Sequence, residues 1–302
     1  MRATLTDILP HAQLHKYAVG AFNFSSMETA QAIVAAAERA KSPVVLQTSG
    51  GAIEYAGMVY LGVISWVASQ SVKVPVVVHL DHGHDVRLVR AAIASGYYTS
   101  VMIDASHLAF KDNIKTVKKI VDEAHAAGIS VEAELGPIPG REDKISVKNR
   151  DAFYTDPAQA AEFVDKTGCD ALAVSVGTAH GAFKHTGIAG MLDVKRLAAI
   201  ASAVNVPLVL HGASSVDPKL AKKMGLSKAE GMSDADIKKA IKTGITKINI
   251  DTDLRLAYTS ALRTALAKNA REFDPRVYTG AARDAVQAVV EKKLRMFGSA
   301  GK

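Results

Sequence analysis

Along the chain, short runs of β-branched and apolar residues alternate with longer segments whose apolar positions recur at helical spacing. The runs are Ala18–Asn23, Val44–Gln47, Val76–His79, Ser100–Asp104, Ser130–Glu134, Leu172–Val176, Leu208–His211 and Ile245–Ile250. Each has strand length, and most are continuously apolar rather than strictly alternating. That is the pattern of parallel strands covered on both faces. Between them lie segments rich in Ala, Glu and Lys, such as Met27–Ala40, Ile114–Ala127, Pro157–Lys166 and Ala235–Thr243, which predict helices. Asp156-Pro157 and Ser233-Asp234 supply helix starts, and Gly128, Gly168 and Gly244 supply stops.

Eight strand–helix units in about 250 residues predict an α/β fold, a (β/α)8 TIM barrel, as one domain over residues 1–302. An open doubly wound sheet is disfavoured because no Gly-x-Gly-x-x-Gly follows the first run. Leu5–Leu14 predicts an N-terminal helix plugging the barrel bottom. Residues 271–302 predict a C-terminal helical arm, a common place for subunit contacts.

Bulk properties narrow the picture. With 48% hydrophobic residues in 302, a large core is available, and 22% charged residues without a biased tract argue against disorder. The formal charge of +7 is dispersed rather than gathered in Lys/Arg blocks, so no nucleic-acid partner is expected. Neither a signal sequence nor an apolar stretch of about 18 residues is read, so no membrane association is expected. Cys169 is the single cysteine, which excludes an intrachain disulfide and CxxC metal motifs and fits a cytoplasmic location. Its place ahead of an apolar run suggests a small buried side chain rather than a nucleophile.

Polar residues gather at or just past the C-terminal ends of these runs: Asn23, Ser49, Asp81, His82, Asp104, Glu134, His180, His211, Asn249 and Asp251. In a closed barrel those ends share one rim, the face that carries active sites. Three of them are histidines followed by glycine, in His79-Leu80-Asp81-His82-Gly83, Gly177-Thr178-Ala179-His180-Gly181 and Leu210-His211-Gly212. Any one alone reads as a hydrogen-bonded core histidine; three converging on a rim match an open catalytic zinc site. His79, His84, His107 and His185 compete for the role. Asp81, beside a proposed ligand, suits ligation or acid–base work, and Asp104 and Glu134 suit alternative ligation or orientation of the histidines. Glu142 lies in a polar stretch, Arg141 to Asp151, long enough to close over the rim. Small residues after the last three runs, Gly181, Gly212-Ala213-Ser214-Ser215 and Asn249-Ile250-Asp251-Thr252, suit phosphate binding, with Lys184, Arg255 and Arg276 as sources of positive charge.

In these motifs, together with Glu132-Ala133-Glu134-Leu135-Gly136 and Asp274-Pro275-Arg276, the chain resembles the class II fructose-1,6-bisphosphate aldolases over nearly its whole length. The resemblance implies a glycolytic and gluconeogenic lyase that cleaves fructose 1,6-bisphosphate to dihydroxyacetone phosphate and glyceraldehyde 3-phosphate. Zinc, or cobalt or another divalent ion, would sit on His82, His180 and His211 and stabilise the ene-diolate, with Asp104 and Glu134 lining an alternate metal position. Asp81 would handle the C4 hydroxyl proton, and Glu142 the proton on the dihydroxyacetone phosphate carbon. Gly181, Lys184, Gly212, Ser214, Asn249, Asp251 and Thr252 would hold the ketose end and its phosphate. Gly181, Gly212 and Ser214 would also meet a monovalent cation, sodium or potassium. Asn23, Ser49, Arg255 and Arg276 are further carry-overs to substrate, Arg276 toward a partner subunit's site. A homodimer or homotetramer is implied. Two departures stand out: the loop Gly212–Ser215 carries serine where many members carry glycine, and Arg141 replaces an acidic residue often found before the loop glutamate. The rival readings are a tagatose-1,6-bisphosphate aldolase, a Schiff-base aldolase using Lys247, and a barrel that binds sugar phosphate without catalysis.

Overall fold

The computed structural model describes residues 1–138, 154–181, 191–226 and 229–302, together with the backbone of 140–142 and 145–147. Eight strands close into a barrel: β2 (Val19–Asn23), β3 (Val44–Ser49), β4 (Val76–Gly83), β5 (Ser100–Ile103), β6 (Ser130–Leu135), β9 (Ala171–Val174), β10 (Leu208–Leu210) and β11 (Ile245–Ile250). Every neighbouring pair is parallel, and the ring closes where Lys247 to Ile250 run beside Val19 to Phe22. A short strand, β1 (Arg2–Ala3), adds to the start of β4 through Val76 and Val77.

Side chains alternate across each strand, and here they sort into two separate cores. Val44, Leu46, Val76, Val78, Leu80, Val101, Ile103, Leu172 and Val174 belong to the outer cluster, beneath the helices. Val19, Ala21, Val45, Val77, Met102, Ala171, Ala173 and Val209 form the inner one, joined by Leu5, Ile8, Leu9 and Ala12 of α1 (Leu5–His15). The N-terminal helix therefore does plug the bottom of the barrel. Leu5 N–H donates to Ser130 Oγ at 3.0 Å, which fixes the plug to β6.

Around the barrel run α2 (Met27–Ala40), α3 (Gly50–Ala56), α4 (Met58–Gln70), α5 (Val86–Ala94), α6 (Phe110–Ala126), α7 (Pro157–Thr167), α8 (Val194–Ala203), α9 (Pro218–Lys223), α10 (Asp234–Thr243), α11 (Thr252–Lys268) and α12 (Pro275–Phe297). The punctuation marks act as their chemistry suggests. Asp156 accepts from the N–H groups of Ala158 and Gln159 ahead of Pro157, Ser233 accepts from Asp236, and Gly168 closes α7 at φ 69°. The C-terminal helical segment is α12, whose Val286, Val290, Leu294 and Phe297 are buried where it lies against α2, α11 and β2. The stretch after β6 opens as an antiparallel hairpin, β7 (Gly140–Glu142) with β8 (Ile145–Val147), rather than as a plain loop. Ile145-Ser146-Val147 carries the alternation that such a strand needs. Burial pushes the Cys169 thiol up to about 12, so it is an inert core side chain.

Candidate metal and catalytic site

Above the apolar floor, the inward positions turn polar. Because the alternation continues up each strand, Gln47 and Ser49 on β3, His79 and Asp81 on β4, Glu132 and Glu134 on β6, and Lys247 and Asn249 on β11 share the orientation of the inner core. All are buried. Among them His79, Glu132 and Lys247 are fully enclosed.

His82 breaks the alternation, and the break is visible in the backbone. The register between β4 and β5 shifts between Leu80 and Gly83, and His82 itself has φ 46°, a conformation that non-glycine residues rarely adopt. A bulge of this kind re-aims one side chain, so the adjacent residues Asp81 and His82 both serve the mouth. Gly83 is required behind it: a Cβ there would fall 2.4 Å from the Met102 carbonyl oxygen. Local strain held by surrounding structure is characteristic of functional positions.

The three predicted histidines come together. Ligand atoms of His82, His180 and His211 all lie within 4.8 Å of one another, with His82 and His211 buried and His180 at the edge of solvent. His82 Nε2 and His211 Nδ1 are 2.5 Å apart. Two nitrogens on a tetrahedral zinc with bonds of about 2.0–2.1 Å stand about 3.3 Å apart, so the rings need separate by less than 1 Å to admit an ion. Each outer nitrogen of this pair meets a carboxylate: His82 Nδ1 lies 3.0 Å from Asp104 Oδ2, and His211 Nε2 lies 2.9 Å from Glu132 Oε1. Imidazoles that bind metal through one nitrogen are oriented through the other in just this way, so the donor set fits a divalent cation. Burial, then the nearby His82, keeps His211 below its usual range, favouring the neutral form that ligates. Burial pushes the Asp104 carboxyl up, but its hydrogen bond to His82 and the charges of His82 and His84 outweigh this and hold it well below the usual range.

Asp81 is enclosed by amides. Its Oδ2 accepts from Asn23 Nδ2 at 2.8 Å and Gln47 Nε2 at 3.1 Å, and its Oδ1 accepts from Asn249 Nδ2 at 2.9 Å. Asn249 in turn accepts from Lys247 Nζ at 2.7 Å, and Lys247 pairs with Glu132 Oε2 at 2.8 Å. One continuous polar chain thus links Asp81 to the carboxylate that orients His211. Lys247 is engaged at both of these partners, so it serves as the internal counter-charge of Glu132. For Glu132, burial raises the carboxyl, while Lys247, His211 and His79 together bring it well below the usual range.

Other predicted residues are distributed around this centre. Glu134 accepts from Ser106 Oγ at 3.2 Å and approaches His82 Nδ1 at 4.0 Å, while Ser106 also donates to Asp104. His84 stands 3.4 Å from Asp104, making His82, His84 and Asp104 a second candidate metal group that shares a residue with the first. Ser49 caps α3, Gly181 and Gly212 adopt left-handed backbone, and Ser214 is buried. Asp251 and Thr252 begin α11, with Arg255 Nη2 2.7 Å from Asp251 Oδ2. Arg276 is exposed and forks onto Asp274. Lys184 and His185 lie outside the described residues; Glu142 is described only as the last residue of β7.

Sequence reasoning left out two members of the network, Glu132 and Gln47. Both were recoverable from period-two spacing, since each precedes a predicted site residue, Glu134 or Ser49, by two positions on the same strand.

The family model described as "Fructose-bisphosphate aldolase class-II" matches residues 3–302. A fructose-bisphosphate aldolase from Thermus caldophilus is 48% identical, covering all of both chains. One from Giardia intestinalis is 42% identical over 99% of this chain and 93% of its own. Among solved structures, the YdjI aldolase of Escherichia coli K12 superposes with a TM-score of 0.80 at 35% identity, covering 100% of this chain and 99% of that one.

Proposed function

The chain belongs to the class II fructose-bisphosphate aldolase family, and from that premise we propose that it cleaves fructose 1,6-bisphosphate reversibly to dihydroxyacetone phosphate and glyceraldehyde 3-phosphate. The observation that carries the reading is the convergence of His82, His180 and His211, with the amide-bound Asp81 adjacent in sequence to the first.

Splitting the C3–C4 bond of a ketose leaves negative charge on the carbonyl fragment. A divalent ion, zinc or cobalt by the nature of the donors, would be held by the three imidazoles and would supply electrophilic stabilisation of that charge. The protein's own contribution is proton control and alignment. Asp81 takes the C4 hydroxyl proton as the bond breaks and returns it in the condensation direction. Asn23, Gln47 and Asn249 fix both of its oxygens, so little motion is needed when the proton moves. Glu142 is the second proton carrier, at the dihydroxyacetone phosphate carbon. Asp104 and Glu132 hold the ligand rings in orientation, and Glu134 with Asp104 lines an alternate position for the ion.

The ketose phosphate is assigned to Gly181, Lys184, Gly212, Ser214, Asn249, Asp251 and Thr252. A monovalent cation is assigned to Gly181, Gly212 and Ser214. Ser49, Arg255 and Arg276 remain candidate outer contacts to substrate. Tagatose 1,6-bisphosphate, which differs at C4, is the competing substrate, and relative cleavage rates decide between them. Lys247 is engaged with Glu132 and Asn249, which supports a metal-dependent route over a Schiff base.

We read residues 1–302 as one domain that acts in the cytoplasm as a homo-oligomer; among the described residues no single helix is long and apolar enough to cross a membrane. Helix α4 carries no charged residue, and Val59, Tyr60, Val63, Trp66 and Val67 expose one stripe of it; Tyr55 of α3 is exposed as well. At 81%, 75% and 49% exposure, the residues Tyr55, Tyr60 and Trp66 alone present about 400 Å². With the valines, the patch approaches the roughly 800 Å² per partner of a stable interface. A second copy of the chain is its proposed occupant; Phe273 and Val277, exposed near the start of α12, offer a second apolar contact in the tail.

The functional test is cleavage of fructose 1,6-bisphosphate before and after EDTA treatment. Activity lost on chelation and restored by zinc or cobalt is expected; activity indifferent to chelation but abolished by borohydride with substrate would replace the proposal with a Schiff-base enzyme.

A further inference from the structure

The loop that follows His211 carries an unusual backbone. Val216 is buried with φ 51°, a left-handed conformation that a β-branched residue strongly avoids. Something must hold it there. Asp253, in the first turn of α11, accepts the Val216 N–H on Oδ1 at 2.7 Å and the Ser215 N–H on Oδ2 at 2.9 Å. Lys293, near the end of α12, lies 2.8 Å from the same Oδ2 and donates to Ser215 Oγ at 2.7 Å. Ser215 Oγ passes a hydrogen bond on to Asp234 Oδ1 at 3.1 Å. Lys293 and Asp253 are both buried, with 5% and 6% exposure, and neither belongs to the histidine cluster or its carboxylates.

The loop is also pressed from its two sides. Met232 N–H donates to the Ser214 carbonyl at 3.0 Å, and a Cβ on Gly231 would fall 2.1 Å from the Ser215 carbonyl carbon. On the other side, a Cβ on Gly212 would fall 2.4 Å from the Ala179 carbonyl oxygen, in the segment leading to His180. The neighbouring segments limit how far the loop can shift, while Asp253 and Lys293 set the orientation of its peptide planes. Three parts of the chain distant in sequence meet at one carboxylate.

We propose that Asp253 and Lys293 are positioning residues for the loop Gly212–Val216, holding it in the conformation that receives the phosphate of the ketose half of the substrate. The inference rests on the assignment of that phosphate to this loop. It ties recognition at the rim to the last turns of the C-terminal helix, through a buried cation whose contacts are Asp253 and Ser215.

The test uses full-length Lys293→Met, Lys293→Arg and Asp253→Asn, each loaded with metal. In the condensation direction, Lys293→Met should raise KM for dihydroxyacetone phosphate by about tenfold or more, as expected for a displaced binding element. KM for glyceraldehyde 3-phosphate should stay within about twofold, and the metal content should equal that of the parent. Lys293→Arg, which keeps the cation, should recover most of the loss. A merely stabilising role predicts a lower melting temperature with both KM values unchanged or both raised alike, and either result overturns the proposal. Amide exchange at Ser215 and Val216 provides a readout independent of substrate: it should accelerate in Lys293→Met or, should that variant not fold, in Asp253→Asn. Unchanged exchange overturns the strut itself. A parent enzyme that fails to turn over fructose 1,6-bisphosphate, with exchange accelerated in the variants, would instead overturn the substrate reading and with it the phosphate role of the loop.

Discussion

Replacing Glu132 by Gln separates two tasks that its carboxylate performs. One oxygen neutralises Lys247 and the other orients His211, and all three side chains are fully enclosed. Glutamine preserves volume but removes the charge, leaving a buried ammonium without its counter-ion. Breaking such a pair costs about 3–5 kcal/mol. For a chain of this size that corresponds to a drop in melting temperature of roughly 5–8 °C. Removing both charges, in Glu132→Gln/Lys247→Met, takes away the uncompensated ammonium and should return stability to within about 2 kcal/mol of the parent. Part of that residue is the hydrogen bond lost from Asn249, worth about 1 kcal/mol. Metal binding should respond differently. A neutral amide no longer holds the His211 ring by charge-assisted hydrogen bonding, so both variants should bind zinc about 10–100-fold more weakly. The assays are thermal unfolding of the metal-stripped proteins and competition for zinc against a chelator of known affinity. Parent-like zinc affinity in both variants would refute the orienting role of Glu132. A double variant as unstable as the single one would refute the account of Lys247 as its counter-charge.

Three further outcomes are expected. Asp81→Asn should retain metal and fold while lowering kcat by about 10²–10⁴-fold, as loss of a general base does, with metal analysis run beside the kinetics. Metal-stripped protein should lose stability as pH falls below about 6.5. His79 and His211 are depressed in the folded state, so the unfolded chain takes up their protons first; Asp104 and Glu132, also depressed, extend the loss below about pH 4. Melts at pH 8, 6 and 5 check this, and a flat profile would contradict it. Trp66→Glu should shift the assembly to smaller species in sedimentation at unchanged fold; parent-like assembly would remove α4 as the contact.

Much of the architecture was legible because local rules and global packing agree. Met27–Ala40 and Ile245–Ile250 form over the predicted residues, with Ser26 accepting from the Thr29 N–H at the start of the helix. The histidine cluster was legible for a topological reason: in a closed parallel barrel, strand C-terminal ends share one rim, so His82, His180 and His211 could be joined without coordinates. What escaped was mostly the layer beneath. Glu132 and Gln47 sit two residues before Glu134 and Ser49 on the same strands, a spacing that marks their shared face once one partner is placed at the rim, and Lys247 reads in the sequence as a candidate nucleophile rather than as the counter-charge of Glu132. The turning of His82 into the mouth was equally hidden, since simple alternation would face it opposite to Asp81, and only the bulge places both together. Asp104 was read as either a ligand or an orienter. Its 3.0 Å contact with His82 Nδ1, the nitrogen that Nε2 ligation leaves available, favours the second.

The most direct test of the central claim is anomalous diffraction at the zinc edge from crystals of the zinc-loaded protein. One ion is predicted, bound to nitrogen atoms of His82, His180 and His211 at about 2.0–2.1 Å. A full-occupancy ion held elsewhere, or no anomalous peak among these three rings in catalytically active crystals, would contradict it.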